Sequence, residues 1–250
     1  MKGKQAQTNY YQTDGIILRR QIYRETSILC HCLTSEFGLV TIIATGAIKE
    51  KSSFTGLLEP FNQLHLELYR TPRSEIYNLK SAGLIKIHSE KVSYKTLILM
   101  NAAVELFLQV EFTVGDDAKF YQLLQNYLIY LKESSYNQFL LFVRLVLRLL
   151  QYIGIPLELA CQKCGAGKVT YFSPHEDGFL CDECHNPLQT EYLLVVESSS
   201  VATLQKAYRL KDDTSDAISR EVVTDFRRIL LTHLENHFNK KFRLNSLEDY

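Results

Sequence analysis

The chain has 250 residues, 46% hydrophobic and 22% charged, enough apolar material for one large or two modest domains that fold without cross-links. Its 28 basic and 28 acidic side chains cancel, which excludes a globally basic surface, so any case for nucleic acid rests on where the cations sit. Residues 1–10 are polar, with Lys2 and Lys4 but no apolar stretch behind them to act as a signal core. The most apolar run, 139–150, is interrupted by Arg144 and Arg148 and is too short to span a bilayer. The expectation is a cytoplasmic protein with no membrane association, in which six cysteines serve as thiols or metal ligands.

Behind a lead-in at 1–12, expected to be flexible, the first third reads as five short strands. They are 14–20, 26–33, 39–44, 61–70 and 75–80. Ser35-Glu-Phe-Gly38 and Thr71-Pro-Arg-Ser74 supply turns, and Leu64, Leu66 and Leu68 alternate with His65, Glu67 and Tyr69 so that one face of the fourth strand is buried. Five strands in this length suggest a small barrel of the oligonucleotide/oligosaccharide-binding (OB) type at 13–83, although an open sheet accommodates the same pattern. Cys30 and Cys32 fall on one face with Ile28 and read as small core hydrophobes.

The period then becomes helical. Leu97, Met100, Val104 and Phe107 mark a helix over 94–112, and Gly115-Asp-Asp117 breaks it and caps a second through about Leu131. Ser134 or Ser135 is expected to cap a nearly all-apolar, central helix at 139–153, which Gly154 ends and Pro156 keeps from resuming. Two further helices, 198–210 and 216–238, complete a helical domain at 90–250 that carries a cysteine insert at 160–186. The fold class is therefore α+β.

Cys161-Gln-Lys-Cys164 and Cys181-Asp-Glu-Cys184 are two C-x₂-C pairs at the spacing of a four-thiolate zinc site. Each pair directs two sulfurs to one point, and four thiolates leave no open coordination position, so one structural Zn²⁺ per chain is expected. A redox dithiol is the alternative, but it needs only one pair. Gly165 and Gly167 are expected to supply the positive backbone angles of the first knuckle. His175 and His185 are read as residues around the site, and His233 and His237, one helical turn apart, as a solvated face. No nucleophile elbow, kinase or zinc-protease pattern occurs, so no enzyme is expected.

The loops framing an OB face carry Arg19, Arg20, Tyr23 and Arg24 after the first strand, and Arg70 and Arg73 after the fourth. Arginine beside tyrosine fits single-stranded nucleic acid, with charge for the backbone and rings for bases. The plainer reading is ordinary decoration of exposed loops.

Taken in order, these parts resemble the RecO family of bacterial recombination mediators over nearly the whole chain. The resemblance is carried by Thr13-Asp-Gly-Ile-Ile-Leu18, Tyr23-Arg-Glu-Thr26, Glu36-Phe-Gly38, Gly46-Ala47 with Lys49 and Lys51, Leu58-Glu-Pro-Phe61, and the helix end at 149–156 leading into the cysteine pairs. It implies an N-terminal OB barrel, a helical domain and, in many members, a four-cysteine zinc insert. It also implies binding of single- and double-stranded DNA, annealing of complementary strands, and work with RecR to load RecA on DNA coated by the single-stranded-DNA-binding protein. The DNA-facing cations then include Lys49 and Lys51. The family's segment after Gly46 is usually richer in Lys and Arg, whereas Glu50 stands between these two lysines here. That departure shifts weight to the first-loop arginines or to RecR.

The resemblance further implies a dock for the acidic, aromatic-ended tail of the single-stranded-DNA-binding protein. Arg144 and Arg148 share a face of the apolar helix and suit its carboxylate; the alternative is internal pairing with Glu105 or Glu111. A rival to the whole DNA reading is a zinc-stabilised interaction scaffold with no DNA contact of its own. A transferase or nuclease with an unrecognised active site is a second rival.

Overall fold

Alternation along the fourth strand closes the first part of the chain into a barrel. The structure, a computed structural model, describes residues 9–112, 117–185, 193–209 and 218–250. Most of the lead-in, Gly115 and Asp116, Asn186, Leu210 and Asp216 therefore lie outside the described residues. Two compact units emerge: Met1–Val92 with Glu111–Lys132, and Ser93–Val110 with Glu133–Tyr250.

In the first unit, β1 (Asn9–Tyr23), β2 (Ser27–Thr34), β3 (Gly38–Ala44), β4 (Asn62–Arg70) and β5 (Tyr77–Ile87) form a closed barrel in the order β1-β2-β3-β5-β4. β3 and β5 pair in parallel through Ile42 and Tyr77, and the other pairs are antiparallel. Leu64, Leu66 and Leu68 point inward with Ile17, Ile28, Cys30, Cys32 and Ile42. Burial pushes the Cys30 thiol up to about 12 and the Cys32 thiol well above the usual range, as expected of core thiols. β1 serves both sides of the barrel: its first half pairs with β4 and its second with β2, with a register shift between Ile17 and Arg19. At Gly15 the walls come so close that a Cβ would stand 2.5 Å from Cys32 Sγ and 2.9 Å from Leu66 Cδ1.

Two strands are longer than the sequence pattern indicates. β1 starts at Asn9 instead of near Asp14, so residues 9–12 are strand and not lead-in, and β5 runs on to Ile87. The added segments are largely exposed and so lack the period of two; pairing with β4 alone extends them.

Helix α1 (Tyr94–Phe107) opens the second unit, but α2 (Asp117–Glu133) returns, as far as Lys132, to the barrel unit. There Gln63 Nε2 donates to the Tyr121 hydroxyl at 2.9 Å, a phenol that burial first of all pushes up to about 12. The Asp117 carboxylate occupies the space beside Gly38, whose φ of +60° turns the β2–β3 hairpin.

α3 (Gln138–Tyr152) is the core of the second unit, buried on every side except the stripe of Arg144, Arg148 and Gln151. Its cap is Asn137, whose side chain accepts from Phe139 N at 2.9 Å and Leu140 N at 3.3 Å; the serines at 134 and 135 stand too early to reach those amides. Gly154, with φ +83°, ends it as expected: Ile155 N donates to Leu150 O at 2.9 Å and Gly154 N to Gln151 O at 3.3 Å. Phe139 and Phe142 meet Phe226 of α5 (Arg220–Phe238) edge-on, with centroids 5.8 and 6.1 Å apart. α4 (Ser198–Arg209) packs beside them, and β6 (Tyr171–Ser173), β7 (Gly178–Leu180) and β8 (Leu194–Val195) form a small sheet in the order β7-β6-β8. Among the described residues, no helix is long and apolar enough to cross a membrane.

Candidate metal centre and nucleic-acid interface

The two C-x₂-C pairs meet. The sulfurs of Cys161, Cys164, Cys181 and Cys184 all lie within 4.8 Å of one another, with Cys164 and Cys181 3.6 Å apart. Four sulfurs around a tetrahedral Zn²⁺ with bonds near 2.3 Å stand about 3.8 Å apart, whereas a disulfide needs about 2.05 Å. Two knuckles hold them. Gly165 N donates to Cys161 O at 2.8 Å around a φ of +75°, and Cys184 N and His185 N both donate to Cys181 O, at 3.2 and 3.0 Å. Gly167 has no positive φ; one glycine suffices for the first knuckle.

Charge argues in the same direction as distance. Burial opposes ionisation of Cys161, but amide donors of Cys181, Cys164 and Lys163 prevail and bring its thiol down to about 6. Cys184 is driven up to about 12 by the thiols of Cys164 and Cys181. Four sulfurs at one point ionise together only around a cation, so this donor set can hold a thiophilic metal ion. His185 stacks on Tyr171 with centroids 4.3 Å apart and His175 is exposed, so neither competes as a ligand.

Register and one loop contact gather three of the predicted cations, Arg24, Lys49 and Lys51, at one end of the barrel. Tyr23 faces Ser27 at the mouth of the β1–β2 hairpin, whose turn holds Arg24 at φ +55°. Ile48 N donates to Thr26 O at 3.1 Å, bringing the segment with Lys49 and Lys51 to the same hairpin. Ile28 faces Ala44 at that end, whereas the parallel pairing of Ile42 with Tyr77 sends the β4–β5 loop with Arg73 toward the other end, where the Tyr77 ring lies 5.8 Å from that of Phe37 in the β2–β3 turn. Arg19, Arg24, Lys49, Lys51 and Arg73 are exposed.

Three predicted cations have partners within the fold. Arg20 Nη1 lies 3.0 Å from Glu59 Oε1. The Arg70 guanidinium sits 4.6 Å over the Tyr77 ring and 6.0 Å from that of Tyr11, and Arg24 lies 5.1 Å over Tyr23. Hydrogen bonds from Asn9 and then Arg70 hold the Tyr11 phenol below its ordinary range.

Arg144 is half-buried and Arg148 exposed on α3, and among the described residues neither forms a salt bridge. The internal pairing with Glu105 is not formed, because the Glu105 carboxylate accepts from Ser246 N and Oγ instead. The same stripe of α3 continues into Leu147 and Gln151, which line a groove with Pro156, Leu157, Glu158 and Tyr208.

One cluster contradicts the sequence reading. His233 is 1% exposed, and its ring and that of His237 converge on the Asp177 carboxylate in the β6–β7 turn. Their spacing of one helical turn was the available signal, but Asp177 lies far off in sequence and turns the expected solvated face into a cluster.

Known proteins fit these parts. The family described as Recombination protein O N terminal matches residues 8–88, and Recombination protein O C terminal matches residues 91–247. A DNA repair protein RecO of Alkaliphilus metalliredigens is 23% identical over 249 residues, covering 90% of this chain and 97% of its own. Its counterpart in Myxococcus xanthus is 25% identical, covering 93% and 94%, and that in Exiguobacterium sibiricum 26%, covering 95% and 96%. With both family regions matched across nearly its full length, the chain belongs to the RecO family.

Proposed function

We propose that this protein is a non-enzymatic mediator of DNA repair and homologous recombination, acting in the cytoplasm at the nucleoid. It binds single- and double-stranded DNA through the basic end of the barrel and anneals complementary strands. With RecR, it loads RecA on DNA coated by the single-stranded-DNA-binding protein. The observation that carries this reading is the gathering of Arg24, Lys49 and Lys51 around the β1–β2 hairpin at one barrel end, in a chain of a family whose relatives are named for DNA repair. Annealing needs a surface that neutralises two backbones and leaves bases free to test pairing, and phosphate contacts do this because they carry no sequence information.

Zn²⁺ at Cys161, Cys164, Cys181 and Cys184 holds the insert and performs no chemistry, since four thiolates close its coordination. Arg144 and Arg148 supply cations beside a groove of mixed apolar and polar lining, whose Leu147, Pro156 and Leu157 suit the aromatic end of the acidic tail of the single-stranded-DNA-binding protein. Glu158 in the groove lining opposes that tail's charge, so the arginines have to dominate.

A scaffold without DNA contact is the competing reading, favoured by the neutral chain and by the engagement of Arg20 with Glu59. Filter binding of labelled single strands at low and moderate salt, with and without RecR, separates the two. Salt-sensitive binding by the protein alone supports the mediator. No retention under any of these conditions leaves the scaffold.

A further inference from the structure

We infer that Asp177, His233 and His237 form a second metal site, binding one divalent transition-metal ion through two imidazoles and a carboxylate. It is separate from the four-cysteine centre and independent of the DNA reading. The ligand atoms, one from each residue, lie within 4.8 Å of one another.

The tautomer of His233 begins the argument. One of its ring nitrogens, Nε2, lies 2.9 Å from Ile155 O, and a carbonyl oxygen can only accept, so Nε2 carries the hydrogen. The neutral ring then presents a bare lone pair at Nδ1, yet Nδ1 lies 3.0 Å from Asp177 Oδ1, also an acceptor. Two lone pairs facing each other on a ring 1% exposed are stable only with a cation between them.

A proton would satisfy His233 alone. But His237 Nε2 converges on the other oxygen of the same carboxylate, and the two ring centroids are 4.7 Å apart. A protonated His233 beside a neutral His237 that donates from Nε2 is the rival arrangement, whereas one divalent ion serves two neutral rings and the carboxylate together, and metal stoichiometry separates the two. Ligands about 2.1 Å from Zn²⁺ stand roughly 3.0–3.4 Å apart for right-angle to tetrahedral geometry, the scale of the His233–Asp177 contact.

The surroundings are those of a metal ligand. A metal-bound histidine usually donates its remaining N–H to a carbonyl or carboxylate, as His233 does to Ile155. Two histidines one turn apart on a helix present their nitrogens to one ion. The turn bearing Asp177, at φ +49°, is fixed to the same helix by Asn236 Nδ2, which donates to Pro174 O at 2.6 Å. His237 and Asp177 each keep about a third of their side-chain surface exposed, so water completes the coordination. A nitrogen and oxygen donor set of this kind selects Zn²⁺, Co²⁺ or Ni²⁺ over Mg²⁺. The ion would pin the β6–β7 hairpin, which leads directly into Cys181, onto α5.

The test is a Co²⁺ titration of the full-length, metal-stripped protein under reducing conditions, followed by Zn²⁺ stoichiometry by elemental analysis. The first equivalent should bring thiolate-to-cobalt charge transfer from the cysteine centre. The second should add weak visible bands with no further charge transfer, and Zn²⁺ should reach two per chain. His237→Ala and Asp177→Asn should each reduce this to one, with the thiolate spectrum intact as the control for folding. Should His237→Ala lose the thiolate spectrum too, His237→Gln at that part-exposed position is read in its place. A wild type that saturates at one ion, or variants that retain the second, overturns the site. Absence of the thiolate band with the second site present would sink the cysteine centre alone.

Discussion

Glu59→Gln should make this protein bind DNA more tightly and with a steeper salt dependence. Arg20 is held at 3.0 Å by Glu59, both side chains more than two-fifths exposed, so the pair costs DNA binding one cation and adds one repelling charge. Each phosphate contact on a single strand contributes about −0.7 to the slope of log K against log salt, so three to five engaged cations give a slope of about −2 to −4. Releasing Arg20 should steepen it by about 0.7. Exposed pairs contribute about 1 kcal/mol or less, so affinity at low salt should rise up to about fivefold and thermal stability should barely move. Anisotropy titrations of a labelled oligonucleotide at several salt concentrations measure both quantities. Adding Arg20→Ala to Glu59→Gln should remove the extra slope. An unchanged slope in Glu59→Gln places Arg20, which the structure holds in β1 and not in a loop, off the DNA path.

Cys161→Ser or Cys181→Ser should release zinc and destabilise the second unit, but by less than the ~10 kcal/mol of isolated fingers, because α3 has its own core; metal content and melting curves check this. Gly15→Ala should cost about 1–3 kcal/mol in denaturant midpoints, since its methyl meets Cys32 and Leu66 from opposite walls. The raised thiols of the barrel predict alkaline sensitivity: Cys30 stays protonated up to about 12 when folded, while the unfolded chain ionises near 8.5. Unfolding then releases a proton, so this contribution is complete below about pH 8.5 and is lost as pH rises toward 12. The loss of midpoint between pH 7.5 and 10 should accordingly shrink in Cys30→Ala. A peptide ending in Asp-Phe should bind the wild type and weaken with salt, and Arg144→Ala with Arg148→Ala should abolish binding without lowering the melting temperature; a lower melting temperature would make these arginines structural.

Sequence patterns predicted what burial encodes and missed what pairing alone decides. β4 was readable because Leu64, Leu66 and Leu68 are all 0% exposed behind polar neighbours, and Gly154 because only a positive φ lets the chain leave α3 there. The ends of β1 and β5 carry no such record, since their residues face solvent whether or not they are paired. The cap of α3 went to Asn137 over two earlier serines because capping depends on which side chain reaches the amides of Phe139 and Leu140. The placement of α2 with the barrel rests on single long-range contacts such as Gln63 with Tyr121, which no periodicity records.

The same distinction explains the neutral net charge. A count of 28 against 28 says nothing of where cations lie, and the barrel answers it locally through the contact of the segment after β3 with the β1–β2 hairpin. That contact brings Lys49 and Lys51 beside Arg24 although they are far apart in sequence, while Glu50 stands between the lysines and Glu59 holds Arg20 as counterweights. A surface of this kind binds phosphate through few contacts, weakly and with a shallow salt slope, whereas an uninterrupted lysine stretch would bind more tightly and with a steeper one. On the proposed function, in which the strand passes to another protein, that weakness is useful. The acidic residues among the cations are therefore consistent with DNA handling, and removing them should tighten binding while slowing release.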